Sequence, residues 1–173
     1  EFVPRYQGAP LLTKSDDFPS NLQEQFDRSY GAIAYGLSRF LVRHMRRVLV
    51  ELQMDLESAF LLGTLAQLNV AARLAPGQPL EKILDEAGMI YDDELTPARL
   101  ADLSQVTGLP RETVRRKLKK LRETGKVVRA EDGGWKVRDA YVDEETRSFT
   151  QESVKMLLAT AIEIQALLCP SSK

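Results

Sequence analysis

The stretch TGLPRETVRRKLKKLRETG, residues 107–125, places seven Lys or Arg among the twelve residues from Arg111 to Arg122. Its apolar residues are sparse but spaced for a helix. At about 100° per residue, Val114, Leu118 and Leu121 fall within roughly 60° of one another and form an inward row. Glu112, Arg116, Lys119, Lys120 and Glu123 fall on the opposite side, with Arg115 and Lys117 flanking that outer face. Arg111 lies nearer the apolar edge, but in the first turn, where a long side chain can swing outward. Gly125 supplies the expected C-terminal stop.

The neighbourhood of this helix is equally informative. Upstream, Thr96-Pro97 reads as an N-cap with a first-turn proline for a helix that runs to about Val106. Downstream, KVVRAEDGGWKVRD alternates around an Asp-Gly-Gly turn and reads as a β-hairpin. Trp135 is expected to anchor that hairpin against the core rather than to stack on a base. Helix, glycine-containing turn, basic helix and hairpin follow one another in the order of a winged helix-turn-helix.

The charge is concentrated in the same place. The 173-residue chain carries a net charge of −1, yet residues 95–140 hold twelve Lys or Arg against six Asp or Glu. A basic island in an otherwise acidic chain points to a polyanion-binding surface.

Outside that region the chain is helical by pattern. Residues 1–19 hold three prolines and little periodicity, and read as an extended arm. A long helix is expected from Ser20, with Gln23 completing a capping box, to Gln53. Its stripe runs through Phe26, Tyr30, Ile33, Leu37 and Phe40, then Leu41, Met45, Val48 and Leu52. Such a stripe is long for a small domain, so part of it should face another chain. Asp55 caps a second helix, apolar over most of its circumference, that should run to about Leu74 as the central core helix. Leu80–Ala87 reads as a short helix. A final helix is expected from Thr150, or from as early as Asp143, to Leu168, with Val154, Leu157, Leu158, Ala161, Ile162 and Leu168 on one face.

The expected fold is therefore mainly α with a small β-hairpin wing: a winged helix-turn-helix flanked by long N- and C-terminal dimerisation helices. The divisions are an arm over 1–19, a helical dimerisation and core region over 20–94, the DNA-binding region over 95–142 and a dimerisation helix over 143–173.

The function that fits is recognition of double-stranded DNA by a homodimer on a palindromic site, as a transcriptional regulator in the cytoplasm. The helix over about 111–124 would enter the major groove. Arginine can grip guanine O6 and N7, and a carboxylate can accept from cytosine N4, which makes Arg111, Glu112, Arg115 and Arg116 the base-reading candidates. Thr113, Lys117, Lys119 and Lys120 are expected to position the helix on phosphates, joined by Arg129, Lys136 and Arg138 of the hairpin. The alternatives are a winged-helix module that binds a protein and a non-specific DNA-packaging protein. Glu112 weighs against packaging, because a carboxylate in the groove weakens general phosphate attraction.

The segment LSQVTGLPRETVRRKLKKL, residues 103–121, resembles the helix-turn-helix of the cyclic-AMP receptor protein family, in which an Arg-Glu-Thr-Val-x-Arg run opens the recognition helix. The resemblance implies base contacts for Arg111, Glu112 and Arg116. It covers about twenty residues; Pro110 stands where that family commonly has Ser, and residues 1–102 do not resemble that family's glycine-punctuated, strand-rich nucleotide-binding barrel. The overall layout resembles the MarR family, whose first and last helices build the dimer, although the Asp-x-Arg wing signature of that family is missing from AEDGGWKV.

Other chemistry has little support. A single His, a single Cys and no glycine-rich phosphate loop leave no metal cluster, Cys–His dyad or P-loop, so neither enzymatic activity nor a cofactor is expected. His44 is expected to be a packed or solvent-facing imidazole. Acidic pairs such as Asp92–Asp93 and Glu144–Glu145 read as solvated. No membrane association is expected, because the most apolar stretch, 59–75, is short and holds Gln67, Asn69 and Arg73. If a small-molecule effector exists, its natural cavity would lie between the first helix, near Tyr30, Ala34 and Leu37, and the winged region.

Overall fold

The computed structural model describes residues 20–71, 95–138 and 143–169. The expected arm and the Leu80–Ala87 helix lie outside these residues. The described chain is mainly helical with one small antiparallel hairpin: α1 (Ser20–Val50), α2 (Leu56–Ala71), α3 (Leu100–Thr107), α4 (Arg111–Glu123), β1 (Val127–Arg129), β2 (Trp135–Val137) and α5 (Glu144–Leu168). It divides into two compact units. One holds α2, α3, α4 and the hairpin; the other holds α1 and α5. The division falls between Met54 and Asp55, so α2 belongs with the basic region rather than with α1, as the 20–94 region had it.

In the first unit α2 is the central element. Asp55 caps it: its carboxylate accepts the Ser58 backbone N–H at 2.9 Å and the Ser58 hydroxyl at 2.7 Å. Leu61 and Leu65 from α2, Leu103 from α3, Val114 and Leu118 from α4 and Val127 from β1 are essentially solvent-free and form the core. The inward row read from the 3.6-residue period, Val114, Leu118 and Leu121, is the buried row of α4.

The hairpin pairs Val127 with Val137, Val128 with Lys136 and Arg129 with Trp135. Its turn is closed by Ala130 N–H to the Gly134 carbonyl, by Gly133 N–H to the Ala130 carbonyl and by Gly134 N–H to the Asp132 carboxylate. Gly133 takes a left-handed φ of 81°, and a Cβ on Gly134 would stand 2.5 Å from Pro97 Cβ. That close approach brings Ala98 beside Trp135, and the two exchange backbone hydrogen bonds of 2.9 Å in each direction.

This bridge corrects one expectation. Thr96 and Pro97 do not open α3. Ala98 is extended and hydrogen-bonded as a third strand segment, and the helix starts at Leu100, with the Asp102 carboxylate reaching back to the Arg99 N–H at 3.3 Å. Thr96 instead donates its N–H to the Asn69 carbonyl at 2.8 Å, satisfying one of the carbonyls that the end of α2 leaves open.

Asn69 is the hub of this junction. It is fully buried, donates Nδ2 to the Thr96 carbonyl (2.7 Å) and the Trp135 carbonyl (3.0 Å), and accepts the Val137 N–H on Oδ1 (2.9 Å). Trp135 is buried, as expected of a hairpin anchor.

In the second unit α1 and α5 lie antiparallel, because Arg39 pairs with Glu163 while Arg47 meets Phe149 and Ser153. Arg47 is nearly enclosed. Its guanidinium chelates Glu51 at 2.6 and 2.8 Å, donates to Ser153 Oγ at 3.0 Å and sits 4.6 Å above the Phe149 ring. Hydrogen bonding to Glu51 is the chief cause that raises its pKa, against the lowering effect of burial. His44 is packed between Phe40 and Phe149, with centroid separations of 5.8 and 5.4 Å. Of the two expected starts of α5 the earlier one, at Asp143, matches: the helix opens at Glu144 with the acidic first turn Glu144-Glu145, and Thr150 lies inside it, its hydroxyl donating to the Thr146 carbonyl. Gln23, expected in a capping box, donates to Asp27 at 3.0 Å, and the Ser20 side chain lies outside the described residues.

Candidate nucleic-acid interface

The turn that presents α4 is built from three side chains, those of Ser104, Thr107 and Pro110, and a glycine. Thr107 Oγ1 donates to the Leu103 carbonyl (2.6 Å) and accepts the Leu109 N–H (3.3 Å), while Ser104 Oγ donates to the Leu109 carbonyl (2.7 Å). Gly108, at φ 70°, supplies the left-handed residue that ends α3. Pro110 then enters α4 as its N-cap, its carbonyl accepting the Val114 N–H at 3.0 Å. Proline has no N–H to lose there, and its fixed φ suits a helix start.

The outer face of α4 is solvent-exposed along its length: Arg111, Glu112, Arg115, Arg116, Lys119 and Lys120 all stand in water. Among the described residues, no hydrogen bond or ion pair holds Arg111, Arg116, Lys119 or Lys120. Arg111, Lys119 and Lys120 therefore face outward uncommitted, and Arg116 is engaged only through its charge, which adds to the Arg115 hydrogen bond in lowering the Glu112 pKa. Arg115 differs: it grips Glu112 with two hydrogen bonds, 2.7 and 2.9 Å. The hydrogen bond lowers the Glu112 pKa and raises that of Arg115. Both members are exposed, so the pair orders side chains more than it stabilises the fold.

Of the residues expected on phosphates, Lys119 and Lys120 lie on the exposed face and Thr113 is half-buried at its edge. On the hairpin, Arg138 is exposed, and Arg129 is exposed with its guanidinium 5.4 Å over Trp135. Lys136 is half-buried and already engaged within the protein.

Lys117 is a correction. Only 11% of its side chain is exposed, and its ammonium lies 2.6 Å from Asp55 and 3.1 Å from Glu57, at the first turn of α2. It points into the unit because it sits about 60° from Val114 on the helical wheel, closer to the buried row than to the outer face. No comparison with known proteins adds to this geometry: no family model, curated protein or solved structure matches the chain.

The Asp55–Lys117 pair leaves a titration signature. Burial pushes the Asp55 carboxyl up, but hydrogen bonds from Lys117 and from the Ser58 hydroxyl and N–H outweigh it and hold the carboxyl well below the usual range. For Lys117, burial is likewise outweighed, by Asp55 and Glu57, and the ammonium is held above its ordinary pKa. A depressed folded-state carboxyl contributes stability that is complete above the unfolded value, near 3.9, and is lost as pH falls below it. Asp55→Asn should therefore cost about 1 kcal/mol at neutral pH, after discounting for the exposed half of the carboxylate, with the gap to wild type closing below about pH 4. Urea unfolding of both proteins from pH 7 to pH 3 measures it; a constant gap would show that the pair contributes nothing.

Among the described residues, no group of three or more His, Cys, Asp or Glu could hold a metal, and no helix is long and apolar enough to cross a membrane.

The second unit carries a surface of another kind. On α5, the residues turned to α1 are Phe149, Ser153, Met156 and Thr160. Of the apolar row expected on one face of this helix, Val154, Leu157, Leu158, Ala161 and Ile162 are exposed, with Ile162 at 67%. On α1, Tyr30, Leu37, Leu41, Met45 and Leu49 are exposed as well, beside a buried row of Ile33, Gly36 and Val48. In an antiparallel pair both exposed rows fall on the same side, so they form one continuous apolar face. The other edge of the pair carries a groove of about 270 Å³ lined by Arg39, Phe40, Arg43, Met156, Thr160 and Glu163.

Proposed function

We propose that this protein is a winged helix-turn-helix regulator that reads double-stranded DNA in the major groove with α4, as a homodimer. The observation that carries this reading is the outer face of α4, where Arg111, Arg116, Lys119 and Lys120 are exposed beside Glu112 and Arg115 and, among the described residues, are held by no hydrogen bond or ion pair. A protein that used these cations for its own stability would pair them. Phosphate and base edges are the partners whose charge and hydrogen-bonding pattern they match. The bridge between Ala98 and Trp135 and the hairpin beyond it supply the wing, with Arg129 and Arg138 for phosphates.

The dimer rests on the apolar face of α1 and α5. Two helices bury little between them; among the described residues of this unit the buried apolar side chains are Ile33, Val48 and Met54. A second copy laid against the face would give a four-helix layer with an ordinary interior. Tyr30, Ala34 and Leu37, where an effector cavity was expected, belong to the same face, so an effector there would compete with the second copy, and the proposal does not include one.

Selection of bound duplexes from a random DNA pool tests the reading, followed by titration of the winner against scrambled DNA. A palindrome with half-sites about 34 Å apart, one turn of DNA, is expected. Arg116→Ala should then weaken binding to the selected site by about 1–3 kcal/mol and relax preference at one position. Lys120→Ala should weaken binding to all sequences and reduce the salt slope by about one. Binding without enrichment would favour the packaging reading, and no binding would leave the protein-interaction reading.

A further inference from the structure

One cation of α4 is withdrawn from the surface that the other basic residues form. Lys117 is almost enclosed and bound to Asp55 at 2.6 Å and Glu57 at 3.1 Å, with Ser58 Oγ at 3.4 Å. We propose that Lys117 is a positioning residue for DNA recognition: it sets the roll of α4 about its own axis and makes no phosphate contact. The proposal rests on the DNA-binding reading.

Three features support it. First, the apolar row Val114, Leu118 and Leu121 holds α4 against the core, but apolar contact is non-directional and leaves roll weakly defined. A charge-assisted hydrogen bond on the flank of that row is directional. Second, the anchor is fixed. Asp55 is locked by the Ser58 N–H and hydroxyl at the start of α2, so it cannot follow the lysine if the helix turns. Third, two carboxylates face one ammonium, so the cluster offers no net attraction to phosphate. The consequence for reading bases is geometric. A roll of about 10° moves a side chain 5–6 Å from the helix axis by about 1 Å. That displacement is enough to spoil a bidentate contact to a base edge, while looser phosphate contacts survive it. Lys117 therefore governs discrimination more than affinity.

The test uses the full chain with two probes, the duplex enriched from the random pool and a scrambled duplex of equal length. Asp55→Ser is the informative variant, because serine keeps the cap on α2 but removes the nearer and only locked carboxylate of the two that hold Lys117, leaving Glu57 on its longer, exposed contact. It is expected to lower the ratio of selected to scrambled affinity about tenfold, with the salt slope unchanged. Lys117→Met should do the same, the double variant should be no worse than either single one, and Lys117→Arg should restore the ratio. The opposite pattern overturns the proposal. A phosphate-binding Lys117 would make Lys117→Met lose affinity for both duplexes with a shallower salt slope, while Asp55→Ser, by releasing the lysine and removing a negative charge, would bind both more tightly. Failure of the unmodified protein to bind either duplex would overturn the DNA reading itself, a result distinct from tighter binding by Asp55→Ser.

Discussion

Asn69→Ala is expected to destabilise the unit that holds α2, α3, α4 and the hairpin by about 3 kcal/mol, as much as truncating a buried core leucine. The side chain is fully buried and makes three hydrogen bonds, to the carbonyls of Thr96 and Trp135 and from the N–H of Val137. Alanine would strand all three backbone groups at the junction of α2, the Ala98 segment and the hairpin. Each buried group left unsatisfied costs about 1–3 kcal/mol, partly relieved where the hairpin can shift or water can enter. For a unit of this size the midpoint of thermal unfolding should fall by roughly 15 °C. Asn69→Asp should be no better, since it keeps the acceptor but sets a carboxylate against two carbonyls. Thermal or urea unfolding of the purified variants measures the effect. A loss below about 1 kcal/mol would mean that water substitutes for the amide and that the hairpin does not depend on it.

The second large effect concerns assembly. Leu41→Glu combined with Leu157→Glu should convert the protein to a monomer at micromolar concentration. Both positions lie on the exposed apolar face, Leu41 at 41% and Leu157 at 52% exposure, so neither substitution buries a charge within one chain. In the proposed dimer each carboxylate would be desolvated without a partner, a penalty of several kcal/mol per copy. Loss of the dimer removes the linkage between the two half-sites, and affinity for a palindromic duplex should fall at least about 100-fold while a single half-site is bound as before. Sedimentation velocity with and without the substitutions reads the assembly directly. A wild-type protein that sediments as a monomer at tens of micromolar would remove the dimer from the proposal and leave the apolar face for a different partner.

The two units were legible to different degrees. In α4, three apolar residues at helical spacing stand among charges, and the period alone identifies Val114, Leu118 and Leu121 as the buried row. A single row leaves a single solution. In α5 the apolar residues cover two rows, and the longer one, Val154 to Ile162, proves to be exposed, while Phe149, Ser153, Met156 and Thr160 meet α1. Apolar content could not rank the two rows, because the choice depends on where Arg47 finds its acceptors on α5. Asn69 carried a faint signal, an amide within an otherwise apolar helix, but its partners lie 27 to 68 positions away.

By itself, the sequence determined that the described segments are helices and a hairpin in this order, and that one helix presents arginines and lysines on a face opposite an apolar row. Those properties follow from short-range periodicity, caps and turn residues, which act within a few positions of the chain. Only the tertiary structure decided that Ala98 joins the hairpin instead of opening α3, that α2 belongs with the basic region, that Lys117 turns inward to Asp55, and which row of α5 is left bare. Each of those outcomes depends on a hydrogen bond or ion pair between residues far apart in the chain, and the energy of such a contact is set by burial and geometry that no local pattern contains.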